Sequence, residues 1–210
     1  MPHPPLPSTA ASTANLTPSA SAVIVSGEGP SAAAIMDALR AAGHAATAAP
    51  DASAVARAID AAQRSGTHIA ALINAQHVAS ESGAALATAE AEYDAVVARE
   101  LTAIFRCCKA ALPHMIEHGG GAIVNVAGAA AYGRARRLAE SAAHGGVVAF
   151  GAALAYDHFN DHVRVNTIVA GDAATPADIA PVAVFLISPD ADVLSGSLID
   201  VGLAAYQGGA

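Results

Sequence analysis

The feature that most constrains this chain is a regular alternation between two kinds of segment. Short apolar runs ending in Gly, Asn or just before Pro are separated by longer stretches with helical periodicity. The runs are SAVIVSG (residues 21–27), HAATAA (44–49), HIAALIN (68–74), GAIVNVAG (121–128), VRVNTIVAG (163–171) and SLIDVG (197–202). They are apolar at nearly every position, which marks strands buried on both faces. Between them lie SAAAIMDALRAAG, stopped by Gly43, and DASAVARAIDAAQRSG, with Asp51 or Ser53 as N-cap and Gly66 as stop. A long helical stretch from about Ala87 to His118 follows, with Pro113 expected to kink or interrupt it. Another runs from about Leu138 to Phe159, and a last helix begins after Thr175. Strictly alternating strands and helices predict one parallel sheet of about six strands with helices on both faces, a single α/β domain over residues 21–210.

Composition narrows the rest. Hydrophobic residues make up 54% of the 210, charged residues 13% and aromatic residues 4%. Much of the apolar count is Ala, so the core must come from the Val, Ile and Leu runs. A formal charge of −8 argues against a nucleic-acid surface, which needs clustered Lys and Arg. The one basic cluster, GRARR (133–137), reads as a solvated loop. No apolar run reaches the roughly 18 residues of a membrane span. Cys107 and Cys108 are adjacent in a helical pattern and point to different sides, so a disulfide between them is implausible and a reducing, cytoplasmic compartment is expected. Residues 1–20, rich in Pro, Ser, Thr and Ala, are expected to be a disordered leader.

The order and spacing of three segments resemble the short-chain dehydrogenase/reductase family, a Rossmann-type, doubly wound fold that binds NAD(P). They are EYDAVVARELTAIFRCCKAALPHMIEHGGGAIVNVAG, HVRVNTIVAG and DIAPVAVFLISPDADVLSGSLIDVG. The resemblance spans roughly residues 21–205. From Gly27 to Asn74 the chain is about one β-α unit shorter than the family pattern, so the Rossmann sheet is expected to be truncated.

The family's functional motifs are altered. Its phosphate turn, TGxxxGxG, reads SGEGPSAAAI here. Gly27 keeps the first glycine, Ser31 and Ala33 replace the other two, Glu28 adds a negative charge, and Gly29 offers a shifted turn. The family's NNAG reads INAQ, keeping Asn74 and Ala75 but placing Gln76 at the glycine. Asp51 stands either where an acidic residue would bind the adenosine ribose or near the adenine, or it is simply the N-cap of its helix. The resemblance thus implies Gly27, Gly29, Asp51 and Asn74 as the cofactor-facing residues if any NAD(P) site survives, and weak binding or none.

The family's catalytic Asn, Ser, Tyr and Lys positions fall on Glu100, Gly128, Glu140 and His144. A carboxylate at the Tyr position would repel a developing alkoxide, and Gly128 offers no hydroxyl. After the VAG of residues 169–171 the chain lacks the family's substrate-covering segment, so the cleft is expected to be open to water and Glu140 to be ionised. Three readings follow. The chain is a non-catalytic subunit, or pseudoenzyme, that keeps the scaffold. Or Glu100, Glu140 and His144 converge for acid–base work, as in an isomerase, lyase or cyclase, or for a divalent metal. Or it is an atypical NAD(P)-dependent oxidoreductase. No resident metal is expected. A homodimer, or a heteromer with an active family member, is expected through the helices near 87–115 and 138–159, whose small residues permit close packing. His77, His114, His118, His158 and His162 read as scattered surface or loop residues.

Overall fold

Six parallel strands stand in the order β2-β1-β3-β4-β5-β6 in the structure, a computed structural model that describes residues 21–76 and 83–202. The strands are β1 (Ser21–Ser26), β2 (Ala45–Ala49), β3 (His68–Asn74), β4 (Gly121–Gly128), β5 (Val163–Ala170) and β6 (Leu198–Val201). The helices between them are α1 (Pro30–Ala41), α2 (Ala52–Ser65), α3 (Glu90–Val97), α4 (Ala103–Glu117), α5 (Leu138–Asp157) and α6 (Pro176–Ile187). This is the doubly wound Rossmann-type sheet expected from the alternation. The proposed leader and His77 lie outside the described residues.

The pleats of the four inner strands, β1, β3, β4 and β5, feed two cores, while the edge strands β2 and β6 are partly exposed. In β1, Ala22 and Ile24 face the layer of α2, α4 and α5, together with Ile123 of β4 and Val165 of β5. Val23 and Val25 face α1 and α6, whose Ile35, Leu39, Ile179 and Leu186 close the second core. Period-two alternation with both sides apolar is what a sheet sandwiched between helices requires.

Local chemistry sets the helix ends. Asp51 accepts the Ala54 N–H at 2.7 Å and caps α2, which ends at Gly66 in the left-handed region (φ 68°). Thr175 and Asp178 form a reciprocal capping box at the start of α6.

Two expectations about the long helix need correction. Pro113 does not interrupt α4, which continues to Glu117. The irregularity lies earlier, where a π-helical segment, Ala98–Thr102, joins α3 to α4. A π segment inserts extra backbone into the turn, and here it carries Glu100 inward. The stretch also starts at Glu90 rather than Ala87.

Helix α5 is long and apolar enough to cross a membrane by length and composition. Its place in this fold is against the sheet: Gly151 lies so close to β5 that a Cβ there would sit 2.5 Å from Thr167 Oγ1. Both cysteines are free and buried in the core. Burial pushes both thiols up, Cys108 to about 12.

Candidate functional site

In an open parallel sheet, ligands are held beyond the carboxyl ends of the strands, next to the point where strand order reverses. Here that point is the crevice between β1 and β3. Gly27 and Gly29 both take positive φ (100° and 103°), and Gly29 is the N-cap of α1. A Cβ on Gly27 would meet the Ala75 carbonyl oxygen at 2.7 Å and Gln76 Cγ at 2.9 Å. The turn is therefore packed from behind by the segment after β3. Glu28 is exposed beside it. Gln76 is folded inward, its Nε2 donating to Ser26 Oγ (3.4 Å) and Cys107 Sγ (3.5 Å). Its Oε1 is buried without a partner among the described residues.

Asn74 is fully buried and ties three strands and a helix together. It accepts from Ser26 Oγ at 2.6 Å and donates to Asn125 Oδ1 at 2.8 Å and Cys108 Sγ at 3.3 Å. Both amide protons are spent inside the protein. Asp51 lies just beyond β2 with its carboxylate on the α2 cap, and the residue is exposed.

At the far end of the crevice, the structure brings Glu100, Glu140 and His144 together. Each is only 1% exposed. The π segment supplies Glu100, and the first two turns of α5 supply Glu140 and His144. His144 Nδ1 accepts the Gly128 N–H at 3.0 Å, which puts the ring proton on Nε2. That nitrogen meets Glu100 Oε2 at 2.5 Å. Arg99 Nη2 holds the other Glu100 oxygen at 2.8 Å. Arg137 clamps Glu140 through two bonds of 2.7 Å, from Nε to Oε2 and from Nη2 to Oε1. Glu140 Oε1 stands 4.0 Å from His144 Nδ1. The Asn, Ser and Lys positions of the family pattern are thus bonded to one another through Glu100, Gly128 and His144.

The two carboxyls are driven apart. Burial pushes Glu100 up, but hydrogen bonds from His144 and Arg99 outweigh it and hold the carboxyl below its usual range. Burial pushes Glu140 above the usual range despite the opposing Arg137 and His144. This corrects the expectation of an open cleft with an exposed Glu140. The space above Glu140 is covered from the β4–α5 connection, where Arg134 and Arg137 both pair with Asp172 beyond β5. The GRARR run is correspondingly not only a solvated loop. Nearby, Tyr132 gives its hydroxyl proton to Asp200 at 2.5 Å. Sequence reasoning missed Arg99, Arg137 and Asp172. The spacing of Arg137 and Glu140 at i and i+3 was the available signal for the clamp.

Known proteins agree with this architecture. A profile described as short chain dehydrogenase matches residues 10–181. The chain belongs to the short-chain dehydrogenase family. A D-threitol dehydrogenase of Mycolicibacterium smegmatis is 34% identical over 181 residues, covering 72% of this chain and 69% of that protein. A 1,6-dihydroxycyclohexa-2,4-diene-1-carboxylate dehydrogenase of Acinetobacter baylyi is 41% identical over 80 residues, with only 30% of its length spanned. A solved oxidoreductase of the short-chain dehydrogenase/reductase family from Burkholderia thailandensis superposes with a TM-score of 0.74 at 26% identity, covering 89% of this chain and 93% of that one.

Short-chain dehydrogenases usually bind NAD(P), and the residues here can be tested against that group. The turn at Gly27 and Gly29 retains a backbone that can approach a phosphate. The opposite end does not fit. Both nitrogens of His144 are engaged, by Gly128 and Glu100, where the family's Lys would reach the nicotinamide ribose. Asn74 has no amide proton left to offer.

Proposed function

We propose that this chain is a non-catalytic member of its family, a pseudoenzyme subunit that pairs with a second copy or with an active short-chain dehydrogenase in the cytoplasm. The observation that carries this reading is His144, whose two ring nitrogens are bound to Gly128 and Glu100 inside a site that is 1% exposed. A general acid or base must reach a proton on a substrate. In this network most polar atoms are matched within the protein, and Glu100 Oε2 has His144 Nε2 as a close contact rather than a well-aligned hydrogen bond.

The assembly part of the reading rests on the outer face of α4 and α5. A groove of about 610 Å³ runs there between Phe105, Leu112, Ile116, Phe150 and Leu154. Phe105 is 46% exposed and Ile116 38%. Exposed apolar surface of this kind supports a contact between chains, which would cover it.

A second reading is favoured by one specific feature. The carboxyl of Glu140 is pushed up by burial while Glu100 is held down, the division of labour expected of an acid and a base. On that reading the chain is an isomerase, lyase or cyclase working without a nicotinamide. Movement of Arg137 and Asp172 would have to open the site first.

Titration of the purified protein with NADH and NADPH by calorimetry, with light scattering in parallel, tests the first reading. No heat at micromolar concentrations and a mass of two chains, or co-purification with a complete family member, are expected. Micromolar cofactor binding, or a monomer at high concentration without a partner, overturns it.

A further inference from the structure

Three of the histidines meet at the end of the sheet opposite the crevice. His68 opens β3, His114 lies in the last turn of α4, and His118 follows as the C-cap. Each offers a ring nitrogen within 4.8 Å of the other two. The rings are stacked, with centroids 4.0 Å apart for His114 and His118, 5.5 Å for His68 and His118, and 5.8 Å for His68 and His114. His114 is 2% exposed, which corrects its reading as a surface residue.

Packing alone would account for the cluster if every ring nitrogen were satisfied. Two are not. Nδ1 of His68 and Nδ1 of His114 are buried with no hydrogen-bond partner among the described residues. A buried polar atom left in that state is costly, and two of them in neighbouring rings mark a place where a further group would be stabilising. The third ring is already oriented. His118 Nδ1 donates to the His114 carbonyl oxygen at 2.8 Å, which leaves the lone pair on Nε2. A backbone carbonyl on one nitrogen is the usual device that fixes a metal-ligating imidazole. Histidines at i and i+4 on one helix share a face, as a chelating pair must.

We infer that His68, His114 and His118 form a binding site for one divalent cation of the zinc type. An all-imidazole set suits borderline first-row metals and not the oxygen-seeking Mg²⁺ or Ca²⁺. The site would join the first residue of β3 to the last turn of α4, so its role is structural. It lies at the amino end of a strand whose carboxyl end, Asn74, borders the crevice, and it does not depend on how that crevice is read. One rearrangement is required. His114 Nε2 accepts the Ile69 N–H at 3.1 Å, so the ring proton of the metal-free protein sits on Nδ1. Capture must clear that proton, by tautomer exchange and rotation about Cβ–Cγ, and it weakens as the imidazoles protonate at lower pH.

The test uses tag-free protein stripped with EDTA, to which ZnCl₂ is added at pH 7.5 and followed by calorimetry and thermal unfolding. One Zn²⁺ per chain is expected, with Tm raised by about 5–10 °C at a hundredfold excess over the dissociation constant. His118→Ala changes an exposed cap and should fold. It should lose at least about tenfold in affinity. His44→Ala, outside the cluster, should bind as the unaltered protein does. Absence of binding to the unaltered protein overturns the proposal. So does a Tm shift that survives in His118→Ala and in His114→Gln alike.

Discussion

Buried residues at the end of the crevice hold one another, His144 with Gly128 and Glu100, and Arg137 with Glu140, and this has measurable consequences. Replacing His144 by Ala leaves the Gly128 N–H and the inner oxygen of Glu100 buried without partners. Breaking a buried pair in this way costs about 3–5 kcal/mol, so H144A should lower the urea midpoint severely. Replacing His144 and Glu100 together by apolar residues should cost less than the sum of the two single changes, and a double-mutant cycle measures the difference. Gly27→Ala fails for a different reason. Its φ of 100° and the Ala75 carbonyl 2.7 Å from the new Cβ admit no side chain without backbone movement. A loss of about 2–4 kcal/mol is expected from strain and overpacking together.

At the scale of elements, caps and histidine packing make two separable predictions. Asp51 caps α2 through one bond, so D51A should cost about 0.5–2 kcal/mol while D51N, an equally good cap, should cost little. A cofactor-binding role for its negative charge predicts instead that D51N changes NADH affinity, read by calorimetry. The second prediction concerns α4 and β3. His68 and His114 have their proton affinity lowered by burial in the folded protein, below the ordinary value of 6.5. The unfolded chain therefore binds more protons as pH falls through 6.5, and stability drops with it. In EDTA, unfolding midpoints should fall between pH 7.5 and 5.5. The slope should flatten in a His68→Asn/His114→Gln variant. An unchanged slope would mean that these imidazoles do not govern acid sensitivity.

For the whole molecule, the question is what covers the outer face of α4 and α5. Phe105 and Ile116 flank the groove and would gain apolar burial from a second chain seated there. Phe105→Asp should convert a dimer to a monomer by light scattering with little change in far-ultraviolet circular dichroism. Loss of the folded signal together with the dimer would mean that the face belongs to the core of each chain.

The sequence by itself determined the sheet, its strand count and most helix ends. Those features follow from apolar runs, spacing and caps within a few residues, as with Asp51 and Gly66 around α2 or Thr175 before α6. It also marked Glu100, Glu140 and His144 as neighbours, through the order of motifs rather than through any local pattern. Tertiary structure alone decided what surrounds them. The π segment that turns Glu100 inward, the Arg137 clamp and the Asp172 pairs close a cleft that a missing segment had suggested was open. His68, His114 and His118 came together only because β3 and the end of α4 pack at one edge of the fold, 46 residues apart in the chain between His68 and His114. Burial and partner geometry are properties of contacts between distant segments, and no periodicity within a segment encodes them.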